Sequence, residues 1–130
     1  WDSAGGYNSG MDPRTDQAGD RSFDDGGTAP CSRGADCSGF VTRVWGETPK
    51  LYTWTIPNYS TQLSSVNDLL SGDVLNKPYD HVAVFDSFCS GGARVFHSTT
   101  YNSYDRVIRR CHNWDYFNGY SPRRYNNVCP

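Results

Sequence analysis

A chain of 130 residues with a formal charge of −2 reads as a single domain spanning residues 1–130, because single domains most often run about 100–150 residues. Its 12 Lys and Arg against 14 Asp and Glu exclude the basic excess of a general nucleic-acid binder. Aromatic residues make up 15% of the chain, so rings can supply a core where aliphatics are scarce.

No apolar run approaches the roughly 18 residues of a membrane span, so no membrane partner is expected. The opening Trp1-Asp2-Ser3, without a signal-peptide core, reads as a mature form whose leader has been removed. Cysteines stand at 31, 37, 89, 111 and 129. In a small chain poor in aliphatics they point to disulfides and an oxidising, extracellular compartment. The count is odd, so one thiol is left over if the other four pair.

Residues 1–35 show no periodicity, and Asp24-Asp25-Gly26-Gly27-Thr28-Ala29-Pro30 reads as turn or loop. One short helix is expected near Arg14–Arg21. The pattern then changes. Apolar residues at 37, 40, 41, 44 and 45 form the stripe of an amphipathic helix. Asp36 is a good N-cap and Gly46 a good stop, which predicts a helix over 37–45 with Cys37 in its first turn. Val41, Val44 and Trp45 are expected on its buried side. Residues 47–62, with Pro49 and Pro57, read as an extended connection, and Val66–Leu70 as a turn of helix. Beyond Ser71-Gly72-Asp73 the period becomes that of strands, at Asp73–Asn76, 81–86, Ala93–Ser98 and Arg106–Cys111. One helix followed by strands implies an α+β fold, with the helix packed on an antiparallel sheet of about five strands.

A cysteine at a helix N-terminus meets unpaired backbone N–H groups and the positive end of the macrodipole. Such placement beside an imidazole can bring a thiol down to a pKa of about 3.5–7.5. The same amides can receive an oxyanion. The alternative for Cys37 is a half-disulfide or a core thiol. Its partner base would come from His81, His97 or His112. His81 opens an apolar strand, and His97 ends the next. If those strands form a hairpin, the two rings lie near the same sheet end, where a third group can orient a base. His112, between Cys111 and Asn113, reads as a surface residue.

These residues resemble the NlpC-type cell-wall cysteine peptidases, a permuted branch of the papain-like fold. The matching pieces are Asp36-Cys37-Ser38-Gly39-Phe40-Val41, Ser71-Gly72-Asp73-Val74-Leu75, His81-Val82-Ala83-Val84-Phe85 and Arg94-Val95-Phe96-His97-Ser98. The resemblance covers about residues 23–117. It implies a papain-like domain with Cys37 as nucleophile, His81 as base and His97 orienting His81. Asp36 would cap the helix and Asp73 hold a turn. The implied activity is cleavage of peptide or amide bonds in bacterial peptidoglycan stem peptides, with no metal or cofactor. Where the family reads Tyr-x-Trp-Gly-Gly ahead of the cysteine, this chain has Phe23-Asp24-Asp25-Gly26-Gly27, so a ring hydroxyl is missing there; Tyr7 or another Tyr is the substitute to look for.

The substrate is expected to meet Asp36, Ser38, Tyr52 and Trp54, together with the loop before His81. The four remaining cysteines allow three pairings. Cys89 with Cys111 is favoured because both flank strands expected to be neighbours, leaving Cys31 with Cys129. The protein is expected to be secreted and monomeric. Two other readings stay open. One is a papain-like amidase, deamidase or acyltransferase acting on another substrate. The other is a non-catalytic secreted binding module in which Cys37 is structural.

Overall fold

Residues 36–99 and 106–128 are described by the computed structural model, and among them one helix and six strands carry the fold. Helix α1 is Cys37–Trp45. Asp36 caps it, its Oδ1 accepting from the Gly39 N–H at 2.7 Å. Gly46 ends it in the left-handed region at φ 70°, where a side chain would be strained.

The buried face of α1 differs from the apolar count. Val41 and Thr42 are fully buried, and Ser38 nearly so, whereas Val44 is 46% exposed and Trp45 half-buried. The expectation for Val44 is therefore corrected. The helix is rotated so that 38, 41, 42 and 45 face inward. Thr42 can be buried because its hydroxyl is satisfied twice, donating to the Ser38 carbonyl at 2.7 Å and accepting from the Leu51 N–H at 2.9 Å.

The strands are β1 (Ser60–Gln62), β2 (Val74–Lys77), β3 (His81–Cys89), β4 (Gly92–Thr99), β5 (Arg106–Asn113) and β6 (Ser121–Tyr125). They form one antiparallel sheet in the order β1-β6-β2-β3-β4-β5. Six strands form where about five were expected, and four of them match the ranges read from the sequence. The additions, β1 and β6, are held by polar side chains that leave no hydrophobic signature. Arg123 donates to the Ser60 hydroxyl at 2.8 Å and its carbonyl at 3.0 Å, while Arg124 grips both oxygens of Asp73 at 2.9 and 2.7 Å. Asp73 also accepts from the Leu70 N–H at 2.8 Å, holding the turn that feeds β2.

Alternation along the strands divides the core into two faces. On one, Val74, Val82 and Val84 pack with Val41, Leu51 and Ile56, the side covered by α1. On the other, Leu75, Ala83, Phe85, Ala93 and Val95 pack with Leu69 and Phe117. The short 3-10 helix Trp114–Phe117 supplies the rings of that second face.

Cys89 and Cys111 are disulfide-bonded with Cα atoms 6.1 Å apart. The bridge ties β3 to β5 across the end of β4, so the two strands it joins are both neighbours of β4 rather than of each other. Gly92 makes the crossing close. A Cβ there would lie 1.8 Å from the His112 carbonyl oxygen, so only glycine admits the β5 backbone. The proposed partners Cys31 and Cys129, the helix near Arg14–Arg21, the segment at Phe23–Gly27 and Tyr7 lie outside the described residues.

Candidate active site

Cys37 is the free cysteine among the described residues. It occupies the first turn of α1 and packs into the α1-side core, half-buried. The backbone N–H groups of Val82 and Ser38 face its sulfur. The thiol is thus seated at the start of β3, beside the residue that follows His81. The two are joined through Val82 and not by a direct hydrogen bond among the described contacts.

Asp36 and Lys50 form an ion pair behind the thiol. The Lys50 side chain is 4% exposed and that of Asp36 23% exposed. Burial pushes the Cys37 thiol up from its ordinary value, and the Asp36 charge pushes it further; the Val82 and Ser38 amides and Lys50 oppose this without reversing it. The expectation of a depressed thiol is therefore corrected. At a helix start sunk into apolar surroundings, desolvation of the thiolate outweighs the amide field.

Strand pairing brings the imidazoles together as the hairpin reading required. Val84 lies opposite Phe96 and Phe85 opposite Val95, which carries the start of β3 toward the end of β4. His81 Nε2 is 2.7 Å from His97 Nδ1. His97 is fully buried. The β4–β5 register then places His112 opposite Ala93, on the same face. His112 Nε2 lies 3.2 Å from His97 Nε2, and its ring stacks on Tyr116 at 3.9 Å and 17°. At 6% exposure it is not a surface residue. The polar run Arg109-Arg110-Cys111-His112-Asn113 hides an alternation whose inner member at 112 is buried by the rings of Trp114–Phe117. Desolvation by burial, above all, lowers His81 to about 4 and His97 to about 3, and it lowers His112 as well. Near neutral pH the site holds a neutral thiol and neutral imidazoles.

Tyr120 went unnoticed in the sequence, where nothing around Gly119-Tyr120-Ser121 marks it. Its ring stands edge-on to His81 at 6.5 Å, under the ammonium of Lys77 at 5.9 Å. Burial, then the charges of Tyr116, Asp80 and Cys37, push its hydroxyl up, so it remains a hydrogen-bond donor close to the thiol. Asn76, cross-strand from Val82, gives its Nδ2 to the Thr53 carbonyl at 2.9 Å, and its Oδ1 is a buried acceptor with no partner among the described residues.

Of the expected substrate contacts, Ser38 is buried with its hydroxyl turned to Asp36 at 3.4 Å, so its backbone N–H is what it presents to the thiol. Tyr52 and Trp54 belong to a pile of three rings. Trp54 stacks on Tyr52 at 4.4 Å and on Tyr79 at 5.4 Å, with Lys50 over the Tyr52 ring at 5.2 Å. The pile runs from the Asp36–Lys50 pair outward to Tyr79, which is 82% exposed. Tyr79 sits at φ 64°, a costly conformation for a ring-bearing residue, and its N–H is pinned by the Thr53 hydroxyl at 2.9 Å. Among the described residues no cluster of His, Cys, Asp and Glu could hold a metal ion. No family model, no curated protein and no solved structure matches the chain.

Proposed function

We propose that this chain is a cysteine hydrolase that cleaves peptide or amide bonds in bacterial peptidoglycan stem peptides. Cys37 is the nucleophile, His81 the base and His97 the residue that orients His81. The observation that carries the reading is an imidazole whose Nε2 is engaged by a second, buried imidazole, on the residue next to the Val82 backbone that faces a free helix-N-terminal thiol.

The chemistry follows from that arrangement. With Nε2 turned to His97, His81 has Nδ1 left to take the thiol proton as sulfur attacks the carbonyl carbon. Starting from a neutral pair, proton transfer accompanies attack and no thiolate is stored beforehand. The Cys37 amide, in the first turn of α1 where N–H groups have no intrahelical partner, is the donor assigned to the oxyanion. His81 then returns the proton to the leaving nitrogen as the C–N bond breaks, giving a thioester on Cys37. Water, deprotonated by the same imidazole, releases the acid and restores the thiol.

The wall-peptide assignment rests on the resemblance of Asp36-Cys37-Ser38-Gly39, Ser71-Gly72-Asp73 and His81-Val82 to the NlpC-type peptidases. The Cys89–Cys111 bridge supports an oxidising compartment, and the protein is taken as secreted and monomeric. Digestion of purified peptidoglycan followed by mass identification of the fragments tests it. New amino or amide-derived termini in stem peptides, absent with Cys37→Ala, are expected. Intact stem peptides together with hydrolysis of simple amides would keep the chemistry and remove the substrate.

A further inference from the structure

Two contacts join three imidazoles in a row: His81 Nε2 to His97 Nδ1 at 2.7 Å, and His97 Nε2 to His112 Nε2 at 3.2 Å. An uncharged imidazole has one N–H and one lone pair, so each contact holds one proton. Two arrangements satisfy both. In the first, His81 donates from Nε2 to His97, and His97 donates from Nε2 to His112. In the second every donor is reversed, and the His81 proton sits on Nδ1. Only the first leaves His81 Nδ1 with the lone pair that a base requires.

We propose that His112 is a positioning residue: by accepting the His97 Nε2–H it keeps His97 Nδ1 bare, and so holds His81 in the tautomer whose Nδ1 can take a proton. The consequence for catalysis rests on the hydrolase reading above, whereas the tautomer is a property of the folded chain. His112 is built for the role. Its ring is clamped by stacking on Tyr116 and by the edge of Phe117 at 6.0 Å, and its backbone is pressed against Gly92. The charged groups that bear on the row are Asp80 at His81 and Arg110 at His97 and His112.

Removing the acceptor sets the direction of the response. His97 is fully buried, so an Nε2–H without a partner would be an orphaned donor, which folded proteins avoid more strictly than an orphaned acceptor. The His97 proton moves to Nδ1, where His81 Nε2 can accept it. That places the His81 proton on Nδ1, the wrong nitrogen for a base. His112→Phe keeps the ring and its stack while deleting the acceptor, and His112→Gln restores one through its amide oxygen.

Long-range proton–nitrogen NMR correlation on labelled protein at neutral pH reads the tautomers directly. The parent and His112→Gln are expected to show His81 protonated on Nε2, and His112→Phe to show it protonated on Nδ1. In wall-peptide assays His112→Phe should lose kcat by about 10²–10⁴ at unchanged KM, the upper figure being the loss when a triad imidazole takes the wrong tautomer. His81 protonated on Nδ1 in the parent, or on Nε2 in His112→Phe, overturns the proposal. If His112→Phe does not fold, the parent spectrum alone decides. The expected tautomers in a protein that cleaves no wall peptide would uphold this inference and remove the hydrolase reading.

Discussion

Replacing Asp36 by Asn separates the two roles of this side chain. Asn keeps an oxygen for the Gly39 N–H and so keeps the cap, but it removes the charge that faces Lys50. Stripping one partner from a buried ion pair costs about 3–5 kcal/mol, because the other charge is left desolvated. Lys50 is 4% exposed, but the Asp36 side is 23% exposed and admits water, so a discounted cost of about 2–3 kcal/mol is expected. Asp36→Ala loses the cap as well, adding about 1 kcal/mol. Asp36→Asn with Lys50→Met removes both charges and should recover most of the loss. Urea titrations with a common slope measure each step. The same variants read the thiol. Asp36 raises the Cys37 pKa and Lys50 lowers it, so the pH midpoint of Cys37 alkylation should move down in Asp36→Asn and up in Lys50→Met. Single and double variants equal in stability to the parent, with an unmoved alkylation midpoint, would refute the claim that this pair both seals the helix start and tunes the Cys37 thiol.

Replacing Cys89 and Cys111 by Ala opens a loop of 22 residues and should cost about 3 kcal/mol in denaturant titrations on the loop-closure estimate. Stability should also fall on acidification. His81 titrates at about 4 and His97 at about 3 when folded, against 6.5 ordinarily, so the unfolded chain binds more protons between those values. The stability present above pH 6.5 is therefore lost as the pH falls through that window, and His97→Gln should flatten the urea-midpoint profile there. Tyr79→Ala removes the outer ring of the Tyr52–Trp54–Tyr79 pile and, on the proposed function, should raise KM for wall peptides roughly tenfold at near-constant kcat, a loss of about 1.4 kcal/mol of binding. The lost stack on Trp54 should lower stability by about 1 kcal/mol.

Much of the frame was legible in the residues because local rules set it. The Asp36 cap and Gly46 stop gave α1 its bounds, and the two apolar strands gave the hairpin that joins His81 to His97. The buried face of α1 was not legible, because Ser38 and Thr42 enter the core through hydrogen bonds that no hydropathy count registers. Strand β6 was hidden for a related reason. It contains Pro122 and two arginines, and it is a strand because Arg123 and Arg124 find Ser60 and Asp73 far along the chain. His112 and Tyr120 join the site through tertiary packing alone, and the thiol is raised by a burial that a helix-terminus argument does not include.

The central claim is that Cys37 forms a covalent acyl intermediate with His81 as its base. Mixing the protein with a soluble stem peptide, quenching in acid within the first turnovers and locating added mass by peptide mapping tests it most directly. An acyl fragment is expected on Cys37 in the parent, none in Cys37→Ala, and a much slower appearance in His81→Ala. Release of product with no adduct on Cys37, or undiminished turnover in Cys37→Ala, would contradict it.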